Sequence, residues 1–452
     1  MYRLLILLIL FACKSGTQTG SENQTDAHSL NRDSLADAME MWMLKACVDP
    51  WYPQIIDSTY GGYLSDFNYK WELDGRQNKM IVTQARHIWT ASVLAEQYPD
   101  NTLYPQVAEH GFQFLRDKMW DAENGGFYQL VNRQGDPLGE DSQNGIIKTA
   151  YGNSFGMYGL AAYYRISKKE EVLDLAKKTF QWLEEHSHDP ETGGYFQFLG
   201  EDGTPMKEGH TNPAKDQNSS IHLLEALTEL YMVWPDDLLK ERVREMLHLV
   251  RDTITNEKAS LTLFLDKDWN PATNRDSSEE YIRQHIHEDH VSFGHDIETA
   301  YLLMEASHVI HAEDDAMTRM KAKKMVDHTI EYGWDDDNGG IYDGGYYFRD
   351  KPGMSIVLHE KAWWAQVEAM NTLLIMTDLY PDDPIDYEQY FLEMWEYTRD
   401  NLIDKEYPGI FVKGLDQSPD ARKANKAGIW KGNYHNVRSF LNCIKRLRGL
   451  SE

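Results

Sequence analysis

Three observations predict an all-α fold, an (α/α)6 toroid of six helical hairpins with short β-turn pieces. They are a recurring glycine turn, helical spacing of apolar residues between the turns, and a repeat number that closes a ring. The turn reads Asp, three residues, Gly-Gly, then an aromatic or branched apolar residue: "DSTYGGY" from Asp57, "DAENGGF" from Asp121, "DPETGGY" from Asp189 and "DDDNGGI" from Asp335. The Gly-Gly pairs begin at 61, 125, 193 and 339, with successive gaps of 64, 68 and 146 residues. A degenerate copy, "NEKASLTLFLDKDWNP" from Asn256, fills the long gap, and "DKEYPGIF" from Asp404 follows the 339 copy by about one more period. A unit of roughly 70 residues suits one helical hairpin with a decorated loop. Gly-Gly permits positive φ, and the residue after it can cover the core. These turns read as scaffold, so Asp121 and Asp189 are expected to hold backbone N–H groups rather than a metal.

Between the turns the apolar period is helical. "SFGMYGLAAYYRI" places Phe155, Tyr158, Leu160, Ala162 and Tyr163 on a buried face, and "SSIHLLEALTELYMVW" does the same with Ile221, Leu224, Leu227, Leu230 and Tyr231. Six hairpins close most economically into a ring, which needs no capping repeats; an open helical array is the alternative. The inner helix of each hairpin would then line a central funnel.

Composition narrows the function. The 452 residues are 41% hydrophobic and carry 45 Lys+Arg against 73 Asp+Glu, a formal charge of −28. Such a surface repels phosphate backbones, so no nucleic-acid partner is expected. The 13 Trp and 26 Tyr suit a helical core, and also the flat walls on which sugar rings stack. Residues 1–12 read as a signal peptide, too short to span a bilayer, and "LFAC" ends at Cys13 as a bacterial lipoprotein signal does. A plain cleaved signal is the alternative. Residues 13–34 then form a lipidated cysteine and polar tether, and 35–452 one catalytic domain of a monomer exported as a membrane-anchored lipoprotein. Cys47 and Cys443 could pair or remain free thiols.

Polar residues interrupting the inner helices are the candidate site. "VTQARHIWTAS" carries Arg86 and Trp89, and "KTAYGNSFGMYGL" carries Tyr151 and Asn153. "DQNSSIHLLEAL" carries Asn218 and His222 at i,i+4, and "FGHDIETAYLL" carries His295 and Glu298 at i,i+3. "KAWWAQVEAMN" supplies Trp364 and Glu368, and "GIWKGNYHNVRSF" supplies Trp430 and His435. Each alone could be core packing, and Glu225 or Glu368 could simply bond a neighbouring helix. Recurrence at the repeat interval, on the side facing one hole, marks them as a functional cluster. The stretch "HIHEDHVSFGHDIE" adds His285, His287 and His290, whose spacing does not keep them on one helical face with His295. No metal site is expected from them, although His290 could line the funnel mouth.

"GHDIE", "NSSIHLLEA", "WWAQVEA" and "WKGNYHNVR", in this order over nearly the whole chain after the leader, make the sequence similar to the N-acylglucosamine 2-epimerase superfamily. Within it the chain most resembles the cellobiose (β-1,4-disaccharide) 2-epimerases. The resemblance implies a cofactor-free inversion at C2 of a reducing-end aldose. His295 and His435 would be the acid/base pair, His222 a third histidine assisting ring opening, and Arg86 the cation at the developing oxyanion. It further implies that Glu298 and Glu368 orient the histidines, that Trp364 and Trp430 stack on sugar, and that Tyr151 and Asn218 make polar contacts. Tyr301 stands where these epimerases usually have Trp and Asn153 where they have Gln, changes expected to alter sugar contacts rather than the acid/base pair. An aldose–ketose isomerase using the same site, an (α/α)6 glycoside hydrolase or lyase, and a sugar-binding lipoprotein without turnover are the rival readings. Fold alone cannot choose among them.

Overall fold

The computed structural model describes residues 31–139, 145–207 and 213–450. The expected signal peptide, Cys13 and nearly all of the tether lie outside these residues. Helix α1 (Arg32–Trp42) begins three residues earlier than the expected domain start, with Asn31 Oδ1 accepting from Ser34 N at 3.1 Å as its cap.

Among the described residues twelve longer helices, α1 included, follow the repeat. Six line the centre: α2 (Ile81–Gln97), α4 (Ala150–Ser167), α6 (Gln217–Val233), α9 (Phe293–Val309), α11 (Trp363–Leu379) and α13 (Tyr434–Leu447). Each packs on the next and α13 returns to α2, which closes the ring. Behind them lie α3 (Leu103–Phe114), α5 (Glu170–His186), α7 (Asp237–His248), α10 (Asp315–Gly333) and α12 (Tyr387–Tyr397). The sixth hairpin is built from both ends of the chain, because α1 packs behind α13. Five of the inner helices, all but α13, are buried nearly all round along their first three turns. The outer α5 buries only one stripe, including Val172, Leu175, Phe180 and Leu183.

The turns work as pins between units. Asp57, Asp121, Asp189, Asp335 and Asp404 each accept from a buried lysine: Lys79, Lys148, Lys215, Lys361 and Lys426. Four of these lysines also donate to the first Gly carbonyl of the turn, as Lys148 does to Gly125 O at 2.6 Å and Lys361 to Gly339 O at 2.7 Å. Asp121 Oδ1 takes Glu123 N at 2.9 Å, in line with the scaffold expectation. The Gly125-Gly126 pair sits at φ 69° and 70°, and a Cβ on Gly126 would meet the Trp182 ring at 2.7 Å. In the degenerate unit Asn256 replaces the aspartate, with its Oδ1 accepting from Lys258 N, and the strand entering the next inner helix starts at Val291 instead of lysine.

Short strands precede the inner helices. Lys79–Met80 pairs antiparallel with Leu130–Val131, Ile147–Thr149 with Phe198–Gly200, and Lys215–Asp216 with Phe264–Leu265. Val291–Ser292 joins a three-stranded piece with Gly344–Tyr346 and Ser355–Leu358, flanked by the short helix α8 (Glu279–Gln284). Every inner helix therefore starts at the same rim, and its first turn faces one end of the funnel. Cys47 and Cys443 are separate buried thiols. No described helix is long and apolar enough to cross a membrane.

Candidate active site

The first two turns of the inner helices bring the predicted residues together. His222 comes from α6, His295 from α9, Trp364 from α11 and His435 from α13. The His295 ring lies 4.6 Å from that of Trp364, and the His435 ring 5.7 Å from it on centroids. His222 sits 5.4 Å from Tyr151. Arg86 donates from Nη2 to Tyr151 Oη at 3.1 Å, and its guanidinium lies over Phe155 at 4.2 Å. Among the described residues its Nε has no partner, so a buried cation keeps donors for something else. Asn218 is half-buried and lines, with His290, Ser292 and His295, the cavity at this rim. Trp430 stands exposed at the entrance, 6.4 Å from Tyr151.

Each histidine has Nδ1 engaged by an oxygen, which leaves Nε2 for proton transfer. Glu225 Oε2 lies 2.7 Å from His222 Nδ1, Ser292 Oγ 2.7 Å from His295 Nδ1, and Glu368 Oε1 2.8 Å from His435 Nδ1. Burial pushes His295 down to about 3, and the charges of His222, His290, His435 and Arg86 push the same way. Burial also lowers His435, with Arg86 adding to the effect and Glu298 opposing it. Burial raises the Glu368 carboxyl against the pull of Arg438. It works to raise Glu225 too, but Arg438 and His222 outweigh it and hold that carboxyl well below the usual range. Neutral imidazoles that accept a proton, beside a guanidinium with spare donors, suit proton abstraction next to a carbonyl.

Three sequence-level assignments need correcting. Asn153 is not at the funnel: its Oδ1 accepts from Phe127 N at 2.7 Å and its Nδ2 donates to Thr149 O at 2.9 Å, so it ties a turn to its helix. Gln84, Asp296 and Gln366 fill the same slot, accepting from Tyr63 N, Leu261 N and Ile341 N. Tyr301 lies six residues along α9 from His295, about 9 Å down the axis. It donates to Glu305 at 2.8 Å and lines a separate cavity toward the other end of the ring. Glu298 does not orient His295; it bonds Arg438 and lies 3.7 Å from His435 Nδ1.

Three contributors escaped the sequence reading. Ser292, three residues before His295, falls in the strand rather than the helix. Glu225 follows His222 at i,i+3, a signal that was present but read as helix bonding. Arg438, at i,i+3 from His435, was hidden because a fully buried arginine is rare. The loop histidines do not converge: His285 stacks on Tyr281 at 4.0 Å, His287 meets His290 edge-on at 5.7 Å, and burial pushes His290 down to about 4. Among the described residues one group has ligand atoms close enough for a cation, Glu298, Glu368 and His435, all within 4.8 Å. The Arg438 guanidinium already donates to both carboxylates there.

The chain is 28% identical over 408 residues to the cellobiose 2-epimerase of Dictyoglomus turgidum, covering 88% of this chain and 95% of that one. It is 28% identical over 428 residues to the cellobiose 2-epimerase of Bacteroides fragilis, covering 91% and 98%. The solved cellobiose 2-epimerase of Spirochaeta thermophila superposes with a TM-score of 0.78 at 26% identity, over 93% of this chain and 98% of that one. The model of the N-acylglucosamine 2-epimerase family matches residues 62–439. With that match over most of the ring, the chain belongs to the N-acylglucosamine 2-epimerase family of carbohydrate epimerases.

Proposed function

We propose that the protein inverts C2 at the reducing end of a β-1,4-linked disaccharide of the cellobiose or mannobiose type, without a cofactor. The observation that carries the reading is the meeting of His222, His295 and His435 with Arg86 at one rim, each histidine held by an oxygen on Nδ1. Similarity to cellobiose 2-epimerases over nearly the whole length supports the disaccharide. In this account His222 assists opening of the sugar ring. One of His295 and His435, neutral, takes the C2 proton through Nε2; the other, carrying a proton on Nε2 as the imidazolium in the sugar complex, gives it to the opposite face, and exchange with solvent resets the pair. A single base would return the proton to the face it came from. Arg86 meets the oxygen that gains charge in the enediolate, where a preorganised cation in a dry site stabilises most. Trp364 and the exposed Trp430 stack on the sugar, and Asn218 and Tyr151 bond its hydroxyls. Protonation of the same enediolate at C1 gives a ketose, so the product reports which carbon the acid serves.

Chromatography of cellobiose and mannobiose incubations tests the assignment. The expected product is the C2 epimer with the glycosidic bond intact. A ketose alone makes the protein an isomerase, and free monosaccharide makes it a hydrolase. We further propose that Cys13 is lipidated and tethers the protein to a membrane. Arg32, where the folded domain begins, bonds Asp378 at the far end of α11 and the Arg446 carbonyl at the far end of α13. A tether leaving there starts at the end of the ring opposite the catalytic rim. Cys13→Ser should move the protein from the membrane to the soluble fraction; unchanged partitioning contradicts lipidation.

A further inference from the structure

We propose that Arg438 is the positioning residue of the proton-transfer apparatus, setting His222 and His435 together through their carboxylates. The inference rests on the epimerase reading above and extends it to a residue that touches no substrate. Arg438 projects from α13 one turn below His435, and its side chain is 1% exposed. Its Nη1 donates to Glu225 of α6 and to Tyr434 Oη; its Nη2 donates to Glu298 of α9 and to Glu368 of α11, the last at 2.6 Å. One planar fork thus gathers a carboxylate from each of three other inner helices. Two of those carboxylates carry a histidine: Glu225 uses its second oxygen for His222, and Glu368 bonds His435. His295 stands outside the network, because Ser292 holds it.

The chemistry explains why an arginine stands here. Three buried carboxylates within reach of one another could not all stay ionised without a cation between them. An ammonium gathers its donors at one nitrogen, whereas a guanidinium spreads them over a plane in fixed geometry and so reaches carboxylates further apart. Arg438 also fixes relative height. The helices that carry the two histidines are not neighbours in the ring, yet both rings hang from carboxylates bonded to one side chain. A shift of α13 against α6 would move His435 relative to His222 and would therefore have to break a charged, desolvated contact.

Arg438→Lys and Arg438→Gln test the assignment in the full-length protein. The expected result for Arg438→Lys is a folded protein with KM within threefold and kcat down by about 100-fold, the scale of misaligned general acid–base catalysis. In Arg438→Gln, loss of the buried cation favours the protonated forms of its neighbours, so the acid limb of kcat/KM moves up toward neutral pH. Ring 15N signals of selectively labelled histidine supply a readout that needs no turnover. Those of His222 and His435 should change in both variants while that of His295 stays. Equal displacement of all three signals, loss of fold in both variants, or kcat within threefold of wild type in folded Arg438→Lys would overturn the proposal. Wild-type protein inactive on every aldose would instead sink the epimerase reading and leave the 15N comparison to judge Arg438.

Discussion

His295, half-buried, and His435, buried, both lie near Trp364, but different groups hold them, Ser292 Oγ for one and the Glu368 carboxyl for the other. Two unlike bases on one substrate are what an inversion needs. Replacing either by alanine removes a proton-transfer group worth about 100- to 10,000-fold, so His295→Ala and His435→Ala should each lose at least that range in kcat. Circular dichroism and melting temperature should stay near wild type, because neither histidine pins a turn. The pH profile separates this site from an ordinary histidine. Burial pushes His295 down to about 3, so in the free protein it is neutral near pH 7. The kcat/KM profile should show no acid limb near 6.5; a limb there would mean that the base titrates like an exposed imidazole. At this scale much was legible, because i,i+3 and i,i+4 spacing on apolar helices selects the funnel face. It failed where burial differed from its usual pattern. Asn153 looked like a ligand and is a backbone tie, and Arg438 was passed over although its side chain is only 1% exposed.

At the level of elements, the Asp–Lys pin is the device that turns helical hairpins into a ring. Lys148 Nζ reaches Asp121 at 2.7 Å with both side chains almost wholly buried, and the geometry recurs at Lys215 and Lys361. Removing one partner leaves the other charge buried and unpaired, so Lys148→Ala should cost about 3–5 kcal/mol. Urea unfolding measures it; a cost under about 1 kcal/mol would show that the pin is solvated. Gly126→Ala should also destabilise, since φ is 70° and the new Cβ would press into Trp182. The turns were readable from Gly-Gly and the preceding aspartate, but the lysines were not. Lysine usually lies outside, and only the folded unit brings it back to an aspartate more than twenty residues away. The degenerate unit was legible from its flanks, and Asn256 with Val291 shows the pin replaced by neutral groups.

For the whole molecule, ring closure by α1 behind α13 places both ends of the described chain at the rim opposite the histidines. Repeat arithmetic predicted six units and a funnel, yet it could not reveal that the sixth hairpin is assembled from both termini. Acid stability is a property at this scale. His87 and His295 are pushed down to about 3, and His290 and His328 to about 4, each with burial as the leading cause. Between those values and the ordinary 6.5 the unfolded chain binds protons that the folded chain does not, so stability rises with pH across that window. The melting temperature should fall as pH drops from about 6.5 toward 4; a flat profile would contradict neutral burial of these rings. Below about pH 4 the turn aspartates add to the loss. Asp57, Asp121, Asp189 and Asp335 are held at about 2 by their cationic and hydrogen-bonding partners, against burial, and their stabilisation fades as they protonate. The central claim, two-histidine inversion at C2, meets its most direct test in D2O. Wild-type protein with cellobiose should place deuterium at C2 of the reducing sugar as the epimer accumulates, while His295→Ala and His435→Ala form no epimer in the same time, and at most the one that keeps the base facing the C2 hydrogen exchanges it with retention. Epimer formed by either variant, or by wild type with the C2 proton retained, would contradict the account.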